Sequence, residues 1–241
     1  MEKQLGIATG NCHKFFTPKD HNKIVSLLKP IIEKHNLKAI ELTYAFTEEL
    51  SIEITEKTCK TLKGKTVSIH APFVGEYADD KETHELMKKL ASIYLRTNAI
   101  LLLIHPTLFS DVSFIKKLEE QYNINIATEL LGPRDMKLND FLNLLENSNI
   151  NFVLDVGHAE EFPYDDMEKL VNKYKDRICE LHLHKVIDGH THCTFSKGGI
   201  SKALELTKDF NVPMIIEEEF EEDDIEGIKT EIEFLKEVLQ Q

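Results

Sequence analysis

Eight short apolar runs recur along the chain at intervals of about 30 residues, the repeat length of a strand–helix–strand unit, and longer amphipathic stretches fill the gaps. The runs are LGIAT at 5–9, AIELT at 39–43, TVSIH at 66–70, AILLLIH at 99–105, INIATE at 124–129, NFVLD at 151–155, ICELHLH at 178–184 and VPMIIE at 212–217. Runs this short, rich in branched residues and bounded by polar clusters, predict buried strands. Between them, HNKIVSLLKPIIEKHN carries Ile24, Leu27, Leu28, Ile31 and Ile32 at helical spacing, with Pro30 expected to kink it. Helical spacing recurs in KETHELMKKLASIYLRT, DVSFIKKLEEQYN, KLNDFLNLLENS, MEKLVNKYKD, SKALELTKDF and IKTEIEFLKEVL. Asp111 is placed to cap the second of these, and Asp223 or Asp224 the last. The stretch TEELSIEITEKTCKTLK after the second strand is the weakest helix, being rich in β-branched residues.

No linker or low-complexity segment divides residues 1–241, so a single domain is expected. Eight strand–helix units in one domain predict a (β/α)8 TIM barrel with an all-parallel sheet. The alternative is a doubly wound open sheet. The first strand leads into GIATGNC, which is not the G-x-G-x-x-G turn of a dinucleotide fold.

The formal net charge is −13, from 42 acidic and 29 basic residues, which weighs against affinity built on phosphate neutralisation. Cysteines at 12, 59, 179 and 193 have neither metal-ribbon nor disulfide-framework spacing. No run reaches the length of a membrane span, and MEKQLGIATG lacks the apolar region of a secretory signal. A soluble, reduced, cytoplasmic protein with no membrane partner is therefore expected.

The ends of six consecutive strands carry metal-compatible side chains: His70, His105, Glu129, Asp155, His182 and Glu217. In a TIM barrel those ends converge on one mouth. Imidazole and carboxylate suit Zn²⁺, Mn²⁺ or Fe²⁺. His158, His190 and His192 follow just beyond the strands. So many donors exceed what one ion needs and point to two or three ions, with Glu129 bridging a pair. Cationic clusters of that kind generate hydroxide from water and clamp phosphoryl groups. His184 shares a strand face with His182 and is open between a substrate contact and a structural role. Glu41 is equally open between a buried ion pair and a substrate ligand; Arg134 and Lys137 are read as solvated, and Cys193 as incidental.

The motifs HAPF (70–73), IHP (104–106), TEL around Glu129, LDVGH (154–158), HLH (182–184), HTHCTFSKGG (190–199) and PMIIE (213–217) occur in an order that resembles the xylose isomerase-like TIM barrels. Within them the resemblance is to the endonuclease IV branch, AP endonuclease family 2, which cleaves DNA at abasic sites with three zinc ions. It implies a first metal on His70, His105 and Glu129. A second would be shared through Glu129 and held by Asp155, His182 and Glu217. A third would be held by His158, His192 and the residue two before it. That residue is an aspartate in the family and His190 here; a shift of register would bring Asp188 instead.

The resemblance thus implies a phosphodiester hydrolase with two or three zinc ions and a metal-bound hydroxide as nucleophile, with Glu129, Glu217 and His182 at the reacting centre. Two features depart from the branch: the acidic loop PFVGEYADDKE and the run EEEFEEDDIE at 217–226 disfavour abasic or damaged DNA and suit a small sugar or phosphate substrate. The alternative is a sugar isomerase or epimerase of the same superfamily, holding one manganese or magnesium ion on Glu129, Asp155, His182 and Glu217. A catalytically idle barrel is a third possibility.

Overall fold

The computed structural model describes residues 3–16, 19–73, 75–109, 111–222 and 224–240. Its barrel strands are β1 (Gln4–Ala8), β2 (Ala39–Thr43), β3 (Thr66–His70), β4 (Leu101–Leu103), β5 (Ile126–Glu129), β6 (Asn151–Asp155) and β7 (Ile178–Leu183). A two-stranded hairpin, β8 (Lys185–Ile187) and β9 (His190–Cys193), follows before β10 (Pro213–Ile216) completes the barrel. The eight strands close in the order β1-β10-β7-β6-β5-β4-β3-β2, all parallel, so the expected TIM barrel is what the chain forms. Closure of β1 onto β2 depends on a small residue: a side chain at Gly6 would overlap the Ala39 backbone.

The helices follow their apolar faces. In α1 (His21–Lys34), Ile24, Val25, Leu28, Ile31 and Ile32 are buried, and Asp20 caps the first turn through a 2.9 Å bond from Asn22 N–H. Pro30 sits inside this helix without ending it, because the buried residues on both sides keep one face on the barrel. α3 (Lys81–Thr97) and α4 (Val112–Tyr122) each end on an asparagine in the left-handed region, Asn98 and Asn123. Asp111 caps α4 as expected. The weak helix after β2 is divided into a 3-10 segment, Thr47–Ser51, and the short α2, Glu56–Leu62. The remaining helices are α5 (Leu138–Glu146), α6 (Val156–Glu160), α7 (Tyr164–Tyr174), α8 (Phe195–Gly198), α9 (Lys202–Thr207) and α10 (Ile225–Gln240). Asp224 accepts from Gly227 N–H at the start of α10, whereas Asp223 lies outside the described residues.

The main core lies between barrel and helices. Inside the barrel, Leu101, Leu103, Ala127 and Val153 form one apolar group and Ala8, Ala39 and Ile215 another. Beside them stand the fully buried polar residues Glu41, Ser68 and Glu180, where a barrel interior usually carries branched apolar side chains. Among the described residues, no helix is long and apolar enough to cross a membrane.

Candidate metal centre

Strand alternation turns every second side chain into the barrel, so the last inward residue of each strand reaches the C-terminal mouth. His70 and Asp155 end β3 and β6, Glu129 ends β5, and His182 is the penultimate residue of β7. Glu217 follows β10 with its N–H bonded to the Leu183 carbonyl at 3.0 Å. His105 lies two residues past the short β4. These six converge.

His70 and His105 meet Nε2 to Nε2 at 3.1 Å, and their Nε2 atoms lie 3.6 and 3.1 Å from Glu129 Oε2. Two imidazole nitrogens on one tetrahedral zinc ion stand about 3.3 Å apart, given Zn–N bonds of about 2.0–2.1 Å. Glu129 turns its other oxygen, Oε1, to His182 Nδ1 at 2.9 Å, and Glu217 Oε2 approaches the same nitrogen at 2.8 Å. Asp155 completes a four-residue group with them. Asp155 Oδ2 and both ring nitrogens of His182 are buried without a hydrogen bond of acceptable geometry. The contacts around His182 thus have the length of hydrogen bonds but not their direction. Crowded carboxylates around an imidazole are what a divalent cation would fit.

The second nitrogen of three of the histidines is anchored. His70 Nδ1 donates to the Ala71 carbonyl at 2.9 Å, His192 Nδ1 to the Glu217 carbonyl at 2.9 Å, and His158 Nδ1 reaches Glu161 Oε2 at 3.3 Å. Each bond puts the ring proton on Nδ1 and leaves Nε2 with its lone pair free to ligate. Burial alone would raise the Glu129 carboxyl, but His182, His105 and His70 hold it well below the usual range. Glu217 is lowered against the same burial penalty, chiefly by His182. Burial opposes a charge on His182, yet Glu217, Glu129 and Glu41 raise it well above an ordinary imidazole. The same imidazoles that could ligate a cation thus lie where they favour the charged form of the buried carboxylates.

A third group gathers His158, His184 and His192. Asp155 caps α6 by accepting from His158 N–H at 2.8 Å, which places His158 beside the four-residue group. His184 is tied at one nitrogen. The His192 N–H points at its Nδ1 at 3.1 Å, the Lys185 carbonyl lies on that side at a longer 3.3 Å, and Nε2 lies 2.8 Å from Asp155 Oδ1. The shorter contact makes Nδ1 an acceptor, while the buried Nε2, although close to Asp155, makes no hydrogen bond of acceptable geometry. His184 thus stands between Asp155 and the hairpin, and like His158 and His192 it offers a nitrogen that could ligate.

His190 is not brought to this group; it is exposed on β9. The cause is the hairpin. Asp188 and Gly189 form its turn with φ of 52° and 80°, and Lys185↔Cys193 gives way to Ile187↔His190, so β9 carries one extra residue. His192 has φ of 56° within that bulge. A bulge breaks the two-residue alternation, which sends His190 and His192 to different sides. Asp188, held in the turn itself, does not join the group either.

Two carboxylates lie beneath His182. Glu41 Oε2 is 3.1 Å and Glu180 Oε1 3.5 Å from His182 Nε2, and the Thr43 hydroxyl donates to Glu41 Oε1 at 2.7 Å. Glu41 is therefore an ion-pair partner of a candidate ligand rather than part of the mouth. Glu180 was not singled out from the sequence, although its spacing from His182 places it on the same strand face. Arg134 and Lys137 are exposed, with the Arg134 guanidinium near Gly189 at the hairpin tip.

A cavity of about 730 Å³ opens beside the centre, with Glu217 and His192 in its wall. Phe46 and Phe73 line it as exposed apolar residues, and Lys19 and His13 are also there.

No protein-family model matches the chain, and no curated protein does. Its fold is similar to several solved structures over nearly its whole length. The AP endonuclease AsfvAP is 13% identical, with all of both chains covered and a TM-score of 0.68. A xylose isomerase domain containing protein from Salmonella typhimurium LT2 is 14% identical, covering 99% of this chain and 98% of that one, with a TM-score of 0.68. The 3-keto-D-glucoside 4-epimerase YcjR from E. coli is 11% identical, covering 98% of this chain and 100% of that one, with a TM-score of 0.67.

Proposed function

The chain has the xylose isomerase-like TIM barrel fold, and we propose that it is a metal-dependent phosphodiester hydrolase with chemistry like that of endonuclease IV. The observation that carries this reading is the division of Glu129: one carboxylate oxygen faces His70 and His105, the other faces His182. A carboxylate so placed suits a bridge between two cations. A mononuclear isomerase has no need of the His70–His105 pair as ligands.

In this reading His70, His105 and Glu129 would hold one ion, and Glu129, Asp155, His182 and Glu217 a second. His158 and His192 would contribute to a third. Zinc suits the nitrogen-rich first and third sets. Bound divalent ions would lower the pKa of water and offset the charge on a phosphoryl group. The protein's own contribution is positional. Glu217 lines the cavity, so it is the carboxylate of the centre that an incoming substrate meets. His184 stands beside Asp155, and the Ala71 and Glu217 carbonyls fix the His70 and His192 tautomers.

One observation favours a second reading, a sugar isomerase or epimerase using one manganese or magnesium ion. Glu129 and Glu217 flank His182 Nδ1 from two sides, a pair that suits proton exchange with a substrate carbon. Elemental analysis of the purified protein, paired with hydrolysis of bis(p-nitrophenyl) phosphate, separates the two. Zinc at two or more ions per chain with phosphodiester turnover is expected. A single manganese or magnesium ion without turnover overturns the hydrolase.

A further inference from the structure

The cavity beside the metal centre has an uneven charge distribution. Glu48, Glu49, Glu217 and Glu219 line it, so its field repels a polyanion approaching from solvent. Lys19 is the one Lys or Arg side chain in its wall among the described residues. That side chain is only 7% exposed. A buried ammonium needs acceptors for three N–H groups. Among the described residues its carboxylate partner is Glu49, whose Oε2 stands 3.8 Å away, beyond hydrogen-bond length. The same oxygen is engaged by the Ala45 N–H at 2.9 Å and lies 3.9 Å from His21 Nε2. Burial pushes the Lys19 ammonium below its ordinary value, with Glu49, Glu41 and Glu217 opposing that shift. Lys19 is thus a desolvated donor close enough to Glu217 to feel its charge. Phe46, 58% exposed, and Phe73, 39% exposed, line the same cavity; the Phe73 ring packs against His70 and His105 with centroids 4.6 and 4.8 Å away, and Phe46 presents an exposed aromatic face.

We propose that Lys19 is the anion-recognition residue of this cavity, and that the substrate is a small phosphate ester with a planar apolar group against Phe46 and Phe73, not duplex DNA. The proposal rests on the hydrolase reading for the identity of the anion. A volume of about 730 Å³ falls in the range of about 300–1,000 Å³ typical of small-molecule sites. The acidic rim excludes long polyanions, while a single buried cation inside it selects one anionic group. The aromatic pair then supplies the apolar contact that distinguishes an ester from free phosphate.

The test is calorimetric titration of the full chain with phenyl phosphate and with inorganic phosphate, in chelator-treated and zinc-loaded protein. Lys19→Met is expected to weaken phenyl phosphate binding roughly tenfold to a hundredfold, the worth of a charge-assisted hydrogen bond, with zinc content unchanged. Phe46→Ala alters an exposed side chain and leaves the core intact. It is expected to weaken phenyl phosphate while sparing inorganic phosphate. Wild-type affinity for phenyl phosphate in the Lys19→Met protein, or equal losses for both ligands in Phe46→Ala, overturns the proposal. So does tighter binding of abasic duplex DNA than of phenyl phosphate. Zinc content and bis(p-nitrophenyl) phosphate turnover report on the hydrolase separately. Lys19-dependent phenyl phosphate binding in a chain lacking both retains the subsite and removes the hydrolase.

Discussion

His182 shows how much one side chain can carry. Its Nδ1 faces Glu129 and Glu217 while its Nε2 faces Glu41, so the ring stands between the candidate ligand set and the barrel interior. A carboxylate paired with the other nitrogen of a ligating histidine raises the basicity of the ring and favours one orientation. Glu41→Gln keeps the shape but removes the charge, and a metal titration is expected to show affinity falling by about 10–100-fold, the usual worth of such a partner. Unchanged affinity would leave Glu41 as simple interior packing. Gly157 belongs to the same scale: a side chain there would overlap the His184 ring, which lies against Asp155. Most of these positions were legible in the sequence because strand alternation and the barrel's single active mouth place strand-end residues together. His70, Glu129 and Asp155 needed nothing more. Glu41 and Glu180 were harder, since a carboxylate deep in a strand is unexpected until its partner is known, and the partners come from β2 and β7, distant in sequence.

At the scale of elements, the hairpin β8–β9 accounts for the main difference between pattern and structure. Its signal was present: Asp188-Gly189 is a dipeptide favoured in two-residue hairpin turns. What no short pattern reveals is the extra residue in β9, which exchanges His190 for His184 beside His158 and His192. The functional consequence is direct. Elemental analysis of His192→Ala is expected to show the loss of one ion, and of His190→Ala no loss; the reverse result would restore the unbulged register. The segment after the hairpin is held by α10. Glu231 accepts from Phe195 N–H at 2.9 Å and Ser196 N–H at 3.0 Å, and Glu218 faces the same Phe195 N–H at 3.4 Å. Burial, then the neighbouring Glu231, raises the Glu218 carboxyl well above its ordinary 4.5. The sign follows from proton counting. Below that ordinary value both the folded and unfolded chains hold the proton. Above it the unfolded chain releases the proton and the folded chain keeps it, so this group costs stability as pH rises. Denaturant unfolding across pH 5–8 should therefore show Glu218→Gln gaining on the wild type with rising pH, by at most about 1.4 kcal/mol per unit. A difference independent of pH would mean that Glu218 is ionised in the fold.

For the whole molecule, the barrel assembles acidic groups that folding alone does not neutralise. Glu41, Glu129, Asp155 and Glu180 are almost completely buried around His182, within a chain of net charge −13. Buried charges without partners cost several kcal/mol each, and imidazolium protons are an incomplete remedy. Cations that bind only the folded chain would stabilise it by mass action, about 2.7 kcal/mol when free metal is a hundredfold above its dissociation constant. For a chain of this size each kcal/mol shifts the melting midpoint by about 2–4 °C. Zinc at that excess should therefore raise the midpoint of chelator-treated protein by roughly 5–11 °C. The gain should shrink as pH falls, because protons compete for the same nitrogens and oxygens. Glu129→Gln removes the charge shared by both candidate ion positions, so it should lose most of the zinc-induced shift while melting near the chelated wild type. If zinc leaves the wild-type midpoint unmoved, the convergence of His70, His105, Glu129, Asp155, His182 and Glu217 is a proton-satisfied network and the metal-centre reading fails at its base.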